Sequence, residues 1–212
     1  MRFIHVWSYS CANYLMYQLK ENHERRRVYY YGFQIVFGAI VKAVLLLTIA
    51  VLVKSLVPTL IILFIFGSLR VLAGGFHMDT YGRCIVTSTV LFVAAGMATQ
   101  YSYRMWDSSI VAVLIAATTI FGAITILKWA PKDNPNKPIT KPEEIRKFKG
   151  LSFMHIIVWA LICSVLLFYR NSSGLVYLNM IIISSSFGIL LELFTVAPVG
   201  YGFFEWISGQ KK

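Results

Sequence analysis

Long apolar runs alternate with short polar stretches along this chain. Six runs contain about twenty residues each and cover residues 31–53, 56–72, 84–100, 110–129, 151–169 and 175–199. A helix of about twenty residues crosses a hydrocarbon core of about 30 Å, and lipid offers no partner for unpaired backbone groups. The pattern therefore predicts an all-α integral membrane protein with six transmembrane helices.

The polar stretches between and beside these runs give the domain organisation. Residues 1–30 predict an amphipathic arm at the cytoplasmic face, because the segment "FIHVWSYSCANYLMYQL" precedes the cationic "ENHERRR". Such a helix would lie along the inner leaflet with its basic end toward anionic lipid; a solvated arm is the alternative. We expect residues 31–200 to form the six-span domain and residues 201–212 a cytoplasmic tail. No cleaved signal peptide is expected, because the arm lacks a compact apolar stretch ending in small residues.

Charge sets the orientation of the spans. The chain is 58% hydrophobic and 14% charged, with a net charge of +11. With both termini in the cytoplasm, fifteen of the 20 basic residues lie in inner segments and three (Lys54, Arg104 and Arg170) in outer ones, with Lys42 and Arg70 at membrane depth. The positive-inside rule favours this arrangement. It accounts for the charge without a nucleic-acid partner and predicts a multi-pass protein of the cytoplasmic membrane.

The stretch "RVLAGGFHMDTYGRC", residues 70–84, places polar groups between the second and third spans. Polar groups at membrane depth are costly and often functional. Gly74 and Gly75 allow a helix to stop or bend and another chain to approach closely. His77 and Cys84 are seven residues apart, so they share a face if the segment is helical. If Gly74 and Gly75 form a re-entrant bend, His77 instead folds back over the start of span three.

Either geometry predicts a membrane-embedded cysteine site. An imidazole can take the proton of a neighbouring thiol, and a helix N-terminus at Cys84 would favour the thiolate and could hold an oxyanion. Arg70 could hold a substrate carboxylate or a backbone carbonyl, and Asp79 could orient His77. The structural alternatives are that Arg70 reaches the interface, that Gly74 and Gly75 form only a turn, and that Asp79 is solvated.

Other cysteine chemistry is disfavoured. Cys11, Cys84 and Cys163 are odd in number and far apart, so they predict neither a disulfide framework nor a CxxC metal site. Zinc needs three or four clustered ligands, and we expect no metal or cofactor. His5 with Cys11 and His155 with Cys163 are also close in sequence but lack a glycine break and an arginine. We interpret these two pairs as packing or interfacial residues.

Two features leave the function open. Lys42 lies in mid-span and Glu192 deep in span six, where they could pair, support the site or form a proton path. As a polar pathway they would indicate a small transporter or channel, although no inverted repeat is found. The basic cytoplasmic loop 128–150 contains "APKDNPNKPI". It could anchor the topology or dock an acidic or amphipathic peptide. A scaffold or sensor without chemistry is a third class.

The motifs together resemble the AgrB family, the accessory gene regulator B proteins of Gram-positive quorum-sensing systems. The resemblance rests on Arg70-x-x-x-Gly74-Gly75-x-His77, on Cys84 seven residues later, and on the "APKDNPNKPI" loop after the fourth span. It covers essentially the whole chain, including six spans and a basic amino-terminal arm.

The resemblance implies a membrane cysteine endopeptidase with His77 and Cys84 as its catalytic residues. Its expected partner is an AgrD-type propeptide, whose C-terminal tail is removed through a thioester on Cys84. Cyclisation then gives a thiolactone or lactone autoinducing peptide. The bundle is small, so a homodimer is also compatible with the sequence.

Overall fold

The computed structural model describes residues 2–76, 78, 81–132 and 141–209, and these are almost entirely helical. The helices are α1 (Arg2–Leu19), α2 (His23–Leu52), α3 (Leu56–Ala73), α4 (Tyr81–Ser102), α5 (Ser108–Trp129), α6 (Pro142–Ser173), α7 (Tyr177–Val196) and α8 (Pro198–Ser208), with a 3₁₀ turn at Tyr103–Met105. Six of them, α2 to α7, are long and apolar enough to cross a membrane. The predicted all-α, six-span architecture is confirmed.

Two of the spanning helices are longer than a bilayer requires. α2 has 30 residues and α6 has 32, which corresponds to about 45 Å and 48 Å of helix. α2 therefore begins eight residues before the predicted span, where the Asn22 side chain accepts a hydrogen bond from Arg25 N. α6 begins at Pro142, so the end of the predicted loop 128–150 is helical. Extending an existing helix adds a hydrogen bond per residue without a new nucleation step.

α1 is a helix that packs antiparallel against the beginning of α2. His5 Nδ1 lies 2.9 Å from the Tyr30 hydroxyl and 2.7 Å from Gln34 Nε2, and Arg26 donates to Asn13 Oδ1. The residues of α1 that this packing buries recur every four positions: Ile4, Ser8, Ala12 and Met16. The opposite face exposes Phe3, Trp7, Tyr14 and Tyr17. Contact of that face with the inner leaflet stays a prediction.

α7 is the central helix of the bundle. It packs against α3, α4, α5 and α6, and 67% of its most apolar window is buried, compared with 17–33% in the other five spans. Small residues allow this close packing: a Cβ on Gly188 would lie 2.9 Å from the Ile62 carbonyl oxygen of α3. α7 therefore contacts four of the other five spans.

The helices alternate in direction, which separates two ends of the bundle. At one end, Tyr101 donates to the Val53 carbonyl, and Asn179 donates to the Trp106 carbonyl. This end carries the basic residues Arg104 and Arg170. The other end gathers the polar stretch after α3, the segment after α5 and the end of α7. The positive-inside rule predicts that this second end faces the cytoplasm.

The last predicted span is shorter than expected, and part of the predicted tail is helical. α7 ends at Val196 rather than at residue 199, and α8 begins at Pro198. Proline has no N–H to donate and clashes with the preceding turn, so it ends one helix and suits the first turn of the next. The turn is tight, because a Cβ on Gly200 would lie 1.6 Å from the Phe194 carbonyl oxygen.

Candidate active site at one end of the bundle

The chain leaves α3 through Gly74. Its N–H donates to the Arg70 carbonyl at 3.1 Å, and its φ is +72°. Gly74 forms an isolated parallel bridge with Lys132, whose N–H donates to the Ala73 carbonyl at 2.9 Å. A Cβ on Gly74 would lie 2.0 Å from the Lys132 carbonyl oxygen. Glycine is therefore required here both by the backbone conformation and by the close approach of the segment after α5.

Gly75 has a second, independent reason to be glycine. Its φ is +129°, a region that other residues rarely occupy. A Cβ there would lie 2.0 Å from Arg70 Nη1 and 2.3 Å from Thr195 Oγ1. The Arg70 guanidinium thus rests directly against the Gly75 backbone.

Arg70 binds the loop that follows its own helix. Its Nη1 donates to the Gly74 carbonyl at 2.9 Å and to Thr195 Oγ1 at 2.6 Å, and its Nη2 donates to the Phe76 carbonyl at 2.5 Å. The side chain is 20% exposed, and its donors point into the protein rather than to the interface. The sequence allowed Arg70 to bind substrate, to support the site or to reach the membrane interface. This geometry favours support of the loop, because the carbonyls that Arg70 binds belong to the protein itself.

Glu192 is the buried counter-charge of Arg70. Its Oε1 lies 3.6 Å from Arg70 Nη1, and its side chain is fully buried. A buried charge is costly unless it is paired. The sequence left open a pair between Glu192 and Lys42; within the described residues Lys42 makes no ion pair, and Glu192 faces Arg70 instead. α7 also holds the loop through its backbone, since Phe76 N–H donates to the Thr195 carbonyl at 3.0 Å.

Cys84 lies in the first turn of α4. Its side chain is partly exposed and its thiol is free. The first N–H groups of a helix have no partner within the helix and carry the positive end of its dipole. Ser88 Oγ donates to the Cys84 carbonyl at 2.6 Å, one turn further along. A thiol at this place is accessible and close to donors suited to an anion.

The segment between α3 and α4 is not a continuous helix. Phe76 and Met78 are non-helical, α3 ends at Ala73 and α4 begins at Tyr81. Of the two geometries that the sequence left open, the one in which a single helix runs through this segment is therefore excluded, and the glycine break is the physical reason. His77 and Asp79 lie outside the described residues. The pairing of His77 with Cys84 and the orienting role of Asp79 remain predictions.

α8 covers the same loop with aromatic rings. The Phe76 ring stacks on Phe204 with centroids 5.4 Å apart and meets Tyr201 edge-on at 5.1 Å. Lys132 Nζ lies 4.7 Å from the centre of the Tyr201 ring. Burial raises the pKa of Tyr201 above its usual value, the Arg70 charge opposes this rise, and Glu205 adds to it. Sequence reasoning missed these contacts and Thr195; aromatic residues three apart at 201 and 204 were an available signal for a packed helix.

Comparison with known proteins identifies the family. The sequence profile described as "AgrB: Accessory gene regulator B" matches residues 8–196. The chain belongs to the AgrB family.

Two curated relatives agree with this assignment. AgrB-like protein 2 of Clostridium perfringens (strain 13 / Type A) is 24% identical over 186 residues, and an AgrB-like protein of strain SM101 is 25% identical over 186 residues. Each alignment covers 86% of this chain and 86% of the relative. No solved structure matches the chain. Membership places this membrane protein in accessory gene regulator quorum-sensing processing.

The family match ends at Val196, so it includes the Arg70 contacts but not α8. His155 and Cys163, one of the two other His–Cys pairs of this AgrB family member, contact serines of neighbouring helices. His155 Nε2 lies 2.9 Å from Ser68 Oγ, and Cys163 Sγ lies 3.5 Å from Ser185 Oγ. Because Cys163 is buried in the bundle core, its surroundings suit packing better than chemistry.

Proposed function

We propose that this protein is a membrane cysteine endopeptidase with Cys84 as nucleophile and His77 as base. Its proposed substrate is an AgrD-type propeptide. The observation that carries the proposal is the free, partly exposed Cys84 in the first turn of α4, the helix that follows the anchored Gly74-Gly75 loop in an AgrB family chain. A thiol in such a place is suited to nucleophilic attack, because the thiolate is the reactive form and helix N–H groups favour it.

Cleavage would proceed through an acyl-enzyme. His77 takes the proton of the Cys84 thiol, and the sulfur attacks the carbonyl at the C-terminal side of the future signal peptide. A carbon–sulfur bond forms, and N–H groups at the start of α4 would hold the oxyanion. The carbon–nitrogen bond then breaks, the protonated His77 gives its proton to the departing amine, and the tail leaves. The signal peptide remains on Cys84 as a thioester.

Ring closure would release the enzyme. An internal cysteine thiol or serine hydroxyl of the precursor attacks the thioester carbonyl, forming a thiolactone or lactone and returning the thiol of Cys84. Tethering makes this attack effectively intramolecular. Exclusion of water by the membrane-embedded site would limit hydrolysis of the thioester. Exchange of an amide for a thioester is uphill, so removal of the tail or of the product would draw the reaction forward.

The location follows from the same proposal. The site lies at the bundle end that the charge distribution assigns to the cytoplasm, which suits a precursor made inside the cell. We propose the cytoplasmic membrane of a Gram-positive bacterium, with both termini inside and α1 against anionic lipid. The transport alternative loses support from the geometry, because Glu192 is engaged by Arg70 rather than open to a pathway with Lys42.

Co-expression with a candidate precursor tests the proposed function. The precursor would be a short amphipathic peptide with an internal cysteine and an acidic tail, encoded beside this gene. Mass spectrometry should find the truncated peptide, and a thioester adduct on Cys84, with the wild type and not with Cys84→Ala. An intact precursor with an inserted, folded wild type would overturn the proposal.

A further inference from the structure

We propose that Glu192 and Thr195 are positioning residues for the cleavage reaction. Acting through Arg70, they fix the backbone that leads directly into His77. The inference rests on the proposed function, because its value to the enzyme depends on His77 being the base. It goes beyond that function by assigning a task to the end of α7, a helix that carries neither proposed catalytic residue.

Glu192 and Thr195 act from one face of α7. They are three residues apart, so they are neighbours on the helix surface. Thr195 Oγ1 donates to the Glu192 carbonyl at 2.9 Å and accepts from Arg70 Nη1 at 2.6 Å. The Glu192 carboxylate lies 3.6 Å from the same nitrogen. α7 therefore presents a hydroxyl and a carboxylate to one guanidinium group.

Arg70 transmits this constraint to the loop. Its two terminal nitrogens bind the carbonyls of Gly74 and Phe76, two residues apart. Phe76 N–H in turn donates to the Thr195 carbonyl. Both backbone polar groups of Phe76 are thus fixed to α7, directly or through Arg70, and the next residue in the chain is His77.

The chemistry of Arg70 explains why a carboxylate is needed at Glu192. The planar guanidinium offers donors in fixed directions, so it can bind two carbonyls and a hydroxyl together. At the end of the bundle, a long cationic side chain would otherwise gain by turning toward water. The buried Glu192 opposes that turn, since it would lose its counter-charge in a region of low dielectric. The Arg70 donors therefore stay directed at the loop.

The test uses the reactivity of Cys84 as a report on His77. The full-length protein in lipid vesicles, with Cys11→Ser and Cys163→Ser, has Cys84 as its remaining cysteine. The rate of Cys84 alkylation by iodoacetamide is followed across the pH range in which imidazole and thiol groups titrate. This profile depends on the proton-accepting neighbour of the thiol, and a residue that served only overall stability would not move it.

We expect Thr195→Val, Glu192→Gln and His77→Ala each to slow alkylation at neutral pH by about tenfold, because the thiolate becomes scarcer. Thr195→Ser keeps the hydroxyl and should restore the parent profile. Thr118→Val is the matched control: Thr118 is a buried threonine of α5 whose hydroxyl has no hydrogen-bond partner. It should leave the profile unchanged.

Parent-like profiles in both Thr195→Val and Glu192→Gln, with a changed profile in His77→Ala, would overturn the inference. If these variants do not fold, Arg70→Lys is used to test the inference. Lysine keeps the charge beside Glu192 but lacks the fork, so we expect the slow profile, and a parent-like one would overturn the inference.

Hydrogen–deuterium exchange separates this inference from the proposed function. Faster exchange of residues 73–76 in Glu192→Gln than in Thr118→Val would support the anchoring, and equal exchange would overturn it. The amide exchange of residues 73–76 can be interpreted even if His77→Ala leaves the reactivity of Cys84 unchanged. That outcome would count against the proposed His77–Cys84 dyad, but not against the anchoring of the loop by Glu192.

Discussion

At the scale of single residues, the three cysteines differ in their surroundings. Cys84 is partly exposed in the first turn of α4, Cys163 is buried beside Ser185, and Cys11 lies in α1, which packs against α2. We predict that Cys84→Ser abolishes precursor cleavage, because a serine hydroxyl is a far weaker nucleophile beside a base tuned for a thiol. Cys11→Ser and Cys163→Ser should retain most of the activity. Mass spectrometry of a co-expressed precursor measures all three, and normal cleavage by Cys84→Ser would refute the mechanism.

Gly75 gives the sharpest steric prediction at the same scale. In Gly75→Ala, the new methyl group would meet both Arg70 and Thr195 in a backbone conformation that alanine rarely adopts. The loop must move, and a displacement of about 1 Å can cost about 100-fold in rate. We expect such a loss of cleavage in membranes that hold normal amounts of protein. Gly67→Ala in α3 is the control, because nothing lies within 4 Å of its Cβ position. Equal activity of the two variants would contradict the prediction.

At the scale of elements, α8 packs against the site through a buried aromatic ring. Phe204 is buried between Phe76 and Phe194, while Trp206 on the same helix is 80% exposed. Loss of a buried phenylalanine ring costs about 3–5 kcal/mol. We predict that Phe204→Ala releases α8 and speeds amide exchange in residues 198–208. Trp206→Ala should not, and similar exchange in both variants would show that other contacts hold the helix.

The elements also show which features of the fold the apolar runs in the sequence were sufficient to predict. Each of the six spans coincides with a long apolar run, because a membrane helix needs about twenty apolar residues whatever its neighbours. Helix ends depended on other signals. Pro142 and Asn22 extend α6 and α2 into charged segments that hydropathy assigns to loops. α8 was missed because an eleven-residue helix is defined more by the surface on which it packs than by its own sequence.

At the scale of the whole molecule, the alternation of six spans gives a testable topology. With both termini inside, residue 173 at the end of α6 faces outward and residue 143 at the start of α6 faces inward. In a cysteine-free background, Ser173→Cys should react with a membrane-impermeant maleimide on intact cells. Glu143→Cys should react only after the membrane is opened. Both positions are exposed on the protein, so access depends on the membrane side. The reverse labelling pattern would invert the topology.

The sequence by itself determined the membrane class, the number of spans, the family resemblance and the candidate pair His77 and Cys84. These properties depend on local composition and on motif spacing, which are read along the chain. The tertiary structure decided that Arg70 binds the loop after its own helix, that Glu192 pairs with Arg70 rather than Lys42, and that Thr195 and Phe204 belong to the site. Arg70 and Thr195 are 125 residues apart. Contacts between such distant residues arise only when α3, α7 and α8 pack together. Hydropathy and motif spacing describe neighbouring positions along the chain, so they cannot predict these contacts.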